Sequence, residues 1–287
     1  MPELPEVETI VSELKRALIG ATILDAQFSR PKLIKGISYP SFRKTIAKKK
    51  IQKIERRAKY ILFSLSGGKT LILHLGMTGR LLLHPKKEKG EVVNLKTKKK
   101  EPDRFVRGQF LLDKNRILDF SDLRLFGKIY LLNTADVAKN NPIKKLGIDP
   151  LSKEFTLPLF IQQLKKRKGG VKVVLMDQAF LAGIGNIYSD EILFEAKVHP
   201  LTKTQNLKPA QTKALYSAIK KILKLGIKYR GTSDSDYFDL YGGVGTFQKH
   251  LKVYRKTGKP CPRPCKGIVT RIKINGRSAH YCSVCQI

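Results

Sequence analysis

The chain is predicted to be a multidomain α+β protein: an N-terminal β-sandwich led by one helix, a helical domain, and a small β-hairpin stapled through cysteine. Three observations predict it. Apolar residues follow a helical period from Val7 to Leu18, a strand period or short runs from Ile23 to Leu132, and a helical period again from Phe155 to Tyr229. All four cysteines, Cys261, Cys265, Cys282 and Cys285, fall in the last 27 residues. The 287 residues, 41% of them hydrophobic, are enough for two cored domains. The expected division is 1–132 for the sandwich, 133–152 for a linker, 153–250 for the helical domain and 251–287 for the hairpin module.

The first element is an amphipathic helix. Val7, Ile10, Val11, Leu14 and Leu18 share one face, Pro5 sits in the first turn, and Gly20 ends the pattern. About eight strands follow at sandwich spacing: Ile23 to Phe28, Ile51 to Ile54, Tyr60 to Leu65, Thr70 to Leu75, Arg80 to His84, Phe105 to Leu112, Arg116 to Phe120 and Lys128 to Leu132. Pro85 to Arg104 carries Lys86, Lys87, Lys89, Lys96, Lys98, Lys99 and Lys100 and is expected to be an exposed flexible excursion.

Helical spacing resumes at Phe155 to Leu164 and Leu207 to Tyr229, the latter with Leu215, Ile219, Ile222 and Leu223 on one face. Between them, Lys172 to Gln178 and Asn186 to Ala196 are expected to be two helices joined by a tight turn at Ala182-Gly183-Ile184-Gly185, with Asn186 as N-cap. Gly183-x-Gly185 is too short for a dinucleotide fingerprint and lacks a strand before it, which excludes a nicotinamide cofactor. The tail alternates from Ile268 to Ile274 and turns at Asn275-Gly276, a strong hairpin signal.

Charge restricts the partner. Fifty-seven Lys+Arg against 23 Asp+Glu give a formal net charge of +34, which points to a polyanion such as nucleic acid, although basic surfaces also serve ribosomes and membranes. No apolar run is long enough to span a bilayer, and neither a signal peptide nor a lipidation motif is present, so no membrane partner and a cytoplasmic, nucleoid-associated location are expected.

Two patterns carry chemistry. Met1 precedes Pro2, and Met before a small residue is normally removed, leaving a secondary amine. An α-amino group titrates near roughly 8, far below the roughly 10.4 of lysine, so an appreciable fraction is nucleophilic at neutral pH. Glu3, Glu6 and Glu8 can move protons nearby or, equally, favour the positive end of a helix dipole. The cysteines, as Cys-x3-Cys and Cys-x2-Cys, match a tetrahedral structural zinc site; two disulfides or free thiols are the alternatives, with little support in a chain otherwise free of cysteine and without an export signal.

Several ordered blocks resemble the bacterial formamidopyrimidine-DNA glycosylase family: Pro2 to Glu8, Arg57 to Tyr60, His74 to Gly79, Asp122 to Gly127, Leu175 to Gln178 with Gly183 to Tyr188, Gly245 to Gln248, and Cys282 to Gln286. The resemblance spans essentially the whole chain. It implies a β-sandwich, a helix-two-turn-helix domain and a zinc finger, in a monomer that acts on duplex DNA containing oxidised bases or abasic sites, with one structural zinc and no catalytic cofactor. It also implies roles: Pro2 as nucleophile, Glu3 as proton-transfer group and Lys59 with them in the catalytic set; His74, Asn186, Arg277 and Lys172 as DNA contacts; Met77, Arg124 and Phe126 as residues that enter the duplex; and Cys261, Cys265, Cys282 and Cys285 as zinc ligands. Glu6 matches a residue lining the family's active site.

The implied activity is base excision and strand cleavage at oxidised purines. The endonuclease VIII branch, acting on oxidised pyrimidines, and a non-catalytic zinc-containing DNA-binding protein are the alternatives; Leu4 and Met77 favour the purine branch, and intact Pro2, Glu3 and Lys59 favour catalysis. Three departures from the family pattern bear on this reading. The first cysteine pair encloses Pro262-Arg263-Pro264, whose prolines lack donors for the thiolates; Glu101 to Arg104 replaces a basic, histidine-containing stretch; and the loop Thr232 to Gly245, expected to be mobile, approaches the extruded base in the family.

Overall fold

The computed structural model describes residues 1–94, 99–139, 142–233 and 237–287; Lys96 and Lys98 of the basic excursion and residues 234–236 of the Thr232 to Gly245 loop lie outside them. The chain forms two compact units, Met1–Lys144 with Tyr229–Gln248, and Lys145–Lys228 with Lys249–Ile287. The segment 229–248 therefore packs with the sandwich, whereas the sequence assigned it to the helical domain.

In the first unit, helix α1 (Leu4–Leu18) precedes the strands β1 (Thr22–Phe28), β2 (Ile34–Lys35), β3 (Lys49–Arg57), β4 (Tyr60–Leu65), β5 (Lys69–His74), β6 (Gly79–Pro85), β7 (Glu91–Val93), β8 (Lys100–Pro102), β9 (Val106–Leu112), β10 (Arg116–Asp122) and β11 (Lys128–Asn133), with the short helix α2 (Tyr39–Ile46) between β2 and β3. Nine of these strands form one sheet in the order β2-β11-β5-β4-β3-β1-β9-β10-β6. Its two halves meet where β1 pairs with β3 at only Thr22↔Lys50 and Ile23↔Lys49. Inward side chains of both halves, among them Phe28, Phe110, Phe120, Phe63, Leu73 and Ile129, share one core with Val7, Ile10, Val11 and Leu14 of α1. That shared core makes the folded sheet a sandwich and buries the apolar face the sequence marks on α1.

The basic excursion is more ordered than expected. Within it β7 and β8 pair antiparallel, from Glu91↔Pro102 to Val93↔Lys100. The Asp103 carboxylate is buried 3.3 Å from Arg80, and the Val93 N–H donates to the Gly242 carbonyl at 3.1 Å.

The second unit holds helices α3 (Leu157–Lys165), α4 (Val171–Met176), α5 (Asn186–Glu195) and α6 (Pro209–Lys228), then the hairpin β12 (Val269–Ile274) and β13 (Arg277–Cys282). Gln178 staples the turn into α5: its amide donates to the carbonyls of Met176 and Ile184, both at 2.8 Å, and its oxygen accepts from Gly183 N–H at 2.9 Å. Gly185 is the N-cap of α5 and Asn186 its first helical residue, one position from the expected cap. Asn275 and Gly276 both have positive φ, 46° and 76°, as a two-residue hairpin turn of the favoured hand requires. Among the described residues no helix is long and apolar enough to cross a membrane.

Candidate active site

Pro2 and Glu3 are buried immediately ahead of α1, while Met1 is 42% exposed. Glu6, one turn into the helix, accepts the Glu3 N–H at 2.7 Å through one carboxylate oxygen and the Thr232 N–H at 2.8 Å through the other. The acidic run thus has separate uses. Glu6 fixes the backbone of the candidate catalytic residues. Glu8 accepts from the Arg56 Nε at 2.5 Å, and Arg56 in turn donates to the Ala58 carbonyl at 3.3 Å. Ala58 lies in the left-handed region, φ 55°, in the tight β3–β4 turn that presents the buried Lys59. Glu13, on the same face of α1 two turns beyond Glu6, binds Arg230 and the Leu240 N–H, a role that its place in the sequence does not announce.

His74 closes β5 opposite Tyr60, their rings 4.6 Å apart. Burial, the Lys59 ammonium and then Lys128 push its imidazole down to about 4. Its Nδ1 accepts the Gly76 N–H at 3.1 Å, so the neutral ring carries its proton on Nε2 and can offer a hydrogen bond without a positive charge.

Met77, Arg124 and Phe126 come together on the β5–β6 and β10–β11 loops. The Arg124 guanidinium lies 4.7 Å from the Phe126 ring centre and donates to Met77 Sδ at 3.3 Å. Phe126 is 48% exposed and Met77 38%, an unusual state for such apolar side chains unless they meet a partner. Buried Asp122 holds both loops: its carboxylate accepts from Thr78 Oγ1 at 2.5 Å, Gly127 N–H at 2.8 Å and Arg124 N–H at 3.2 Å.

In the second unit, Asn186 opens α5 with its Oδ1 buried and unpartnered among the described residues. Arg277 is exposed at the start of β13, beside a cavity of about 320 Å³ lined also by Lys172, Val173, Met176, Asp177, Ile274 and Asn275. Lys172 corrects the expectation of a DNA contact. It is 1% exposed, and its ammonium binds Asp190 Oδ1 at 2.5 Å, Ser189 Oγ at 3.0 Å and the Asn186 carbonyl at 3.4 Å. A buried ammonium with those acceptors is held for structure, since withdrawing it would strand the Asp190 charge. Asp190 also accepts from the His280 backbone N–H at 2.9 Å, so the lysine and its partner fix the strand that carries Arg277. Neighbouring Glu191 accepts the N–H groups of Lys252, Val253 and Tyr254 at 2.9–3.0 Å. Burial nevertheless pushes its carboxyl above the usual range.

The four cysteine sulfurs lie within 4.8 Å of one another, with Cys265–Cys282 at 3.5 Å and Cys261–Cys285 at 3.9 Å. A tetrahedral zinc with Zn–S near 2.3 Å needs sulfurs about 3.8 Å apart, so the residues fit the ion. The prolines of Cys-x3-Cys do not leave the thiolates bare. Arg263 between them donates its N–H to Cys261 Sγ at 3.5 Å and its guanidinium to Cys285 Sγ at 3.6 Å, stacked 4.1 Å from the Phe194 ring centre. Val284 and Cys285 N–H groups point at Cys282 Sγ, both at 3.5 Å.

Three family models match successive parts of the chain: the formamidopyrimidine-DNA glycosylase N-terminal domain over residues 1–129, the formamidopyrimidine-DNA glycosylase H2TH domain over 146–237, and a zinc finger found in FPG and IleRS over 258–287. A formamidopyrimidine-DNA glycosylase of Pelotomaculum thermopropionicum is 40% identical over 286 residues, covering 100% of this chain and 99% of that protein. One of Carboxydothermus hydrogenoformans is 41% identical over 286 residues, covering 100% of both. The crystal structure of a Lactococcus lactis FPG mutant in complex with a Fapy-dG containing DNA matches with a TM-score of 0.88 at 34% identity, over 99% of each chain.

Proposed function

The chain belongs to the formamidopyrimidine-DNA glycosylase family, and we propose that it excises oxidised purines from duplex DNA and cuts the strand at the resulting abasic site. Removal of Met1 converts the Pro2 nitrogen from an amide to a secondary amine. Its lone pair forms a bond to C1′ of the damaged nucleotide while the glycosidic bond breaks; the base leaves with the electron pair of the broken bond and takes up the proton that the Pro2 nitrogen gives up. Glu3 donates a proton to O4′ as the C1′–O4′ bond opens, leaving an iminium between Pro2 and C1′. The iminium acidifies C2′. Loss of a C2′ proton expels the 3′ phosphate, and a second elimination expels the 5′ phosphate.

Around this chemistry, Lys59 and His74 contact phosphates beside the lesion, His74 as a neutral donor, and Asn186 and Arg277 contact the DNA backbone. Extruding a nucleotide costs a few kcal/mol of stacking and pairing, which Met77, Phe126 and the Arg124 guanidinium offset in part by filling the vacated space. Zinc on the four cysteines supplies folding free energy and no chemistry.

The observation that carries this reading is the placement of Pro2 and Glu3: buried, one residue from a rigid helix, with the Glu3 backbone held by Glu6. The test is incubation with duplexes carrying 8-oxoguanine or an oxidised pyrimidine under borohydride, followed by mass spectrometry of the trapped adduct. An adduct on Pro2 formed mainly with the purine is expected. Preferential trapping with the pyrimidine would replace the substrate assignment, and tight binding with no adduct from a protein lacking Met1 would refute the catalytic one.

A further inference from the structure

The segment Tyr229–Gln248, which contains the Thr232 to Gly245 loop expected to be mobile, is tied through its described residues to α1 at two places along one helix face. At its start, Gly231, φ 81°, lies so close to Glu6 that a Cβ there would meet the Glu6 Cγ at 2.8 Å, and the next residue, Thr232, donates its N–H to Glu6. Further on, Arg230 bridges Glu13 of α1 and Asp239 of the segment, the latter at 2.6 Å. The second Glu13 oxygen accepts the Leu240 N–H at 2.9 Å, and Asp239 accepts the N–H groups of Tyr241 and Gly243 at 3.0 and 2.7 Å. Glu13 is 2% exposed and Asp239 6%, so both carboxylates are buried, beneath an Arg230 side chain that is itself 44% exposed.

Every acceptor in this cluster is used to hold segment backbone or the arginine that spans it. Glu6, which holds the segment's beginning, also holds the backbone of Glu3, and Glu13 is placed on the same rigid helix. We propose that Glu13, Arg230 and Asp239 are positioning residues that hold the segment against the catalytic end of the chain, and that they set selectivity for the damaged base without taking part in strand cleavage. This rests on the function proposed above. A base must be extruded and recognised before excision, whereas a preformed abasic site has no base to recognise, so the two reactions separate recognition from elimination.

The experiment compares the full-length protein, with Met1 removed, against Asp239→Asn and Glu13→Gln, which keep the side-chain shape and one acceptor oxygen, turn the other oxygen into an NH2 donor, and remove the charges that hold Arg230. Two activities are measured on matched duplexes, excision of 8-oxoguanine and cleavage at a preformed abasic site, together with hydrogen exchange of the 237–245 amides. A drop of at least tenfold in excision kcat/KM is expected, with abasic cleavage within about twofold and faster exchange at Leu240, Tyr241 and Gly243. If either variant misfolds, Arg230→Lys, which weakens the bridge while keeping a cation, gives the same readouts. Parallel loss of both activities would show a merely structural role, and unchanged excision or unchanged exchange would overturn the proposal. Wild-type protein that cuts the abasic duplex but excises no oxidised base would refute the proposed substrate and this inference with it; normal wild-type excision beside unaffected variants would refute the inference alone.

Discussion

At His74, burial and two neighbouring ammonium groups act in the same direction, and the consequence for acid stability has a definite sign. The unfolded imidazole titrates near 6.5 and the folded one near about 4, so between those values the unfolded chain binds a proton that the folded chain refuses. The contribution of His74 to stability is complete above 6.5 and is lost as pH falls toward 4. Its upper limit is roughly 3 kcal/mol, reduced by the solvent that reaches the half-buried ring. Denaturant unfolding from pH 7.5 to 4.5 should show stability falling with acidification, with a shallower slope in His74→Gln; identical slopes would remove His74 from the account. The metal site was legible in the sequence because spacing alone defines its chemistry, with four cysteines in two close pairs. The buried acids were not, because a carboxylate's role depends on a partner that no local period announces. Glu13 meets Arg230 across 217 positions, and Asp190 meets His280 across 90. Lys172 was misjudged for the same reason, since a lysine reads as a surface cation until its buried acceptors are known.

Elements were predicted in proportion to their apolar content. The eight predicted strands of the sandwich, α1 and α6 each bury a periodic face or a continuous apolar run, and each was found within a few residues of its place. Helix α2 was missed because eight residues with only Phe42 and Ile46 buried give the period too little to repeat. The β7–β8 ladder was missed because lysines surround it and its hydrogen bonds, rather than its side chains, hold it. Loops were read through their glycines, and Gly76 makes that reading testable. Its φ is 62°, and a Cβ on it would stand 2.7 Å from the Phe126 carbonyl carbon. Gly76→Ala should therefore cost about 1–2 kcal/mol for the left-handed backbone alone, with the contact adding to it. At about 2–4 °C per kcal/mol, the melting temperature of the first unit should fall by several degrees. Displacing Phe126 should also weaken the grip on a duplex with an extruded nucleotide, measured as affinity for abasic-site DNA; an unchanged melt and affinity would mean the loops adjust freely.

For the molecule as a whole, two compact units imply two separable responses to loss of metal. Apart from its thiols, the small core behind the hairpin consists of Phe194, Val253 and Val269, too little to order the tail without its ion. A chelator that removes zinc should strip hydrogen-exchange protection from 260–287 while strands β3 to β5 keep theirs, and DNA affinity should fall with the loss of a placed Arg277. Equal loss in both units would contradict their independence. The boundary at 133–152 was drawn from the change from strand to helical period, and a period could not reveal that 229–248 returns to the sandwich, since a return is a fact of topology. A last consequence concerns engineering. Because α1 begins at Leu4, only Glu3 separates Pro2 from a helix whose apolar face is locked in the core. There is no slack to absorb an addition: a tag or a single inserted residue ahead of Leu4 is expected to leave the fold in place while displacing the nitrogen proposed as nucleophile. Affinity handles therefore belong at the other terminus.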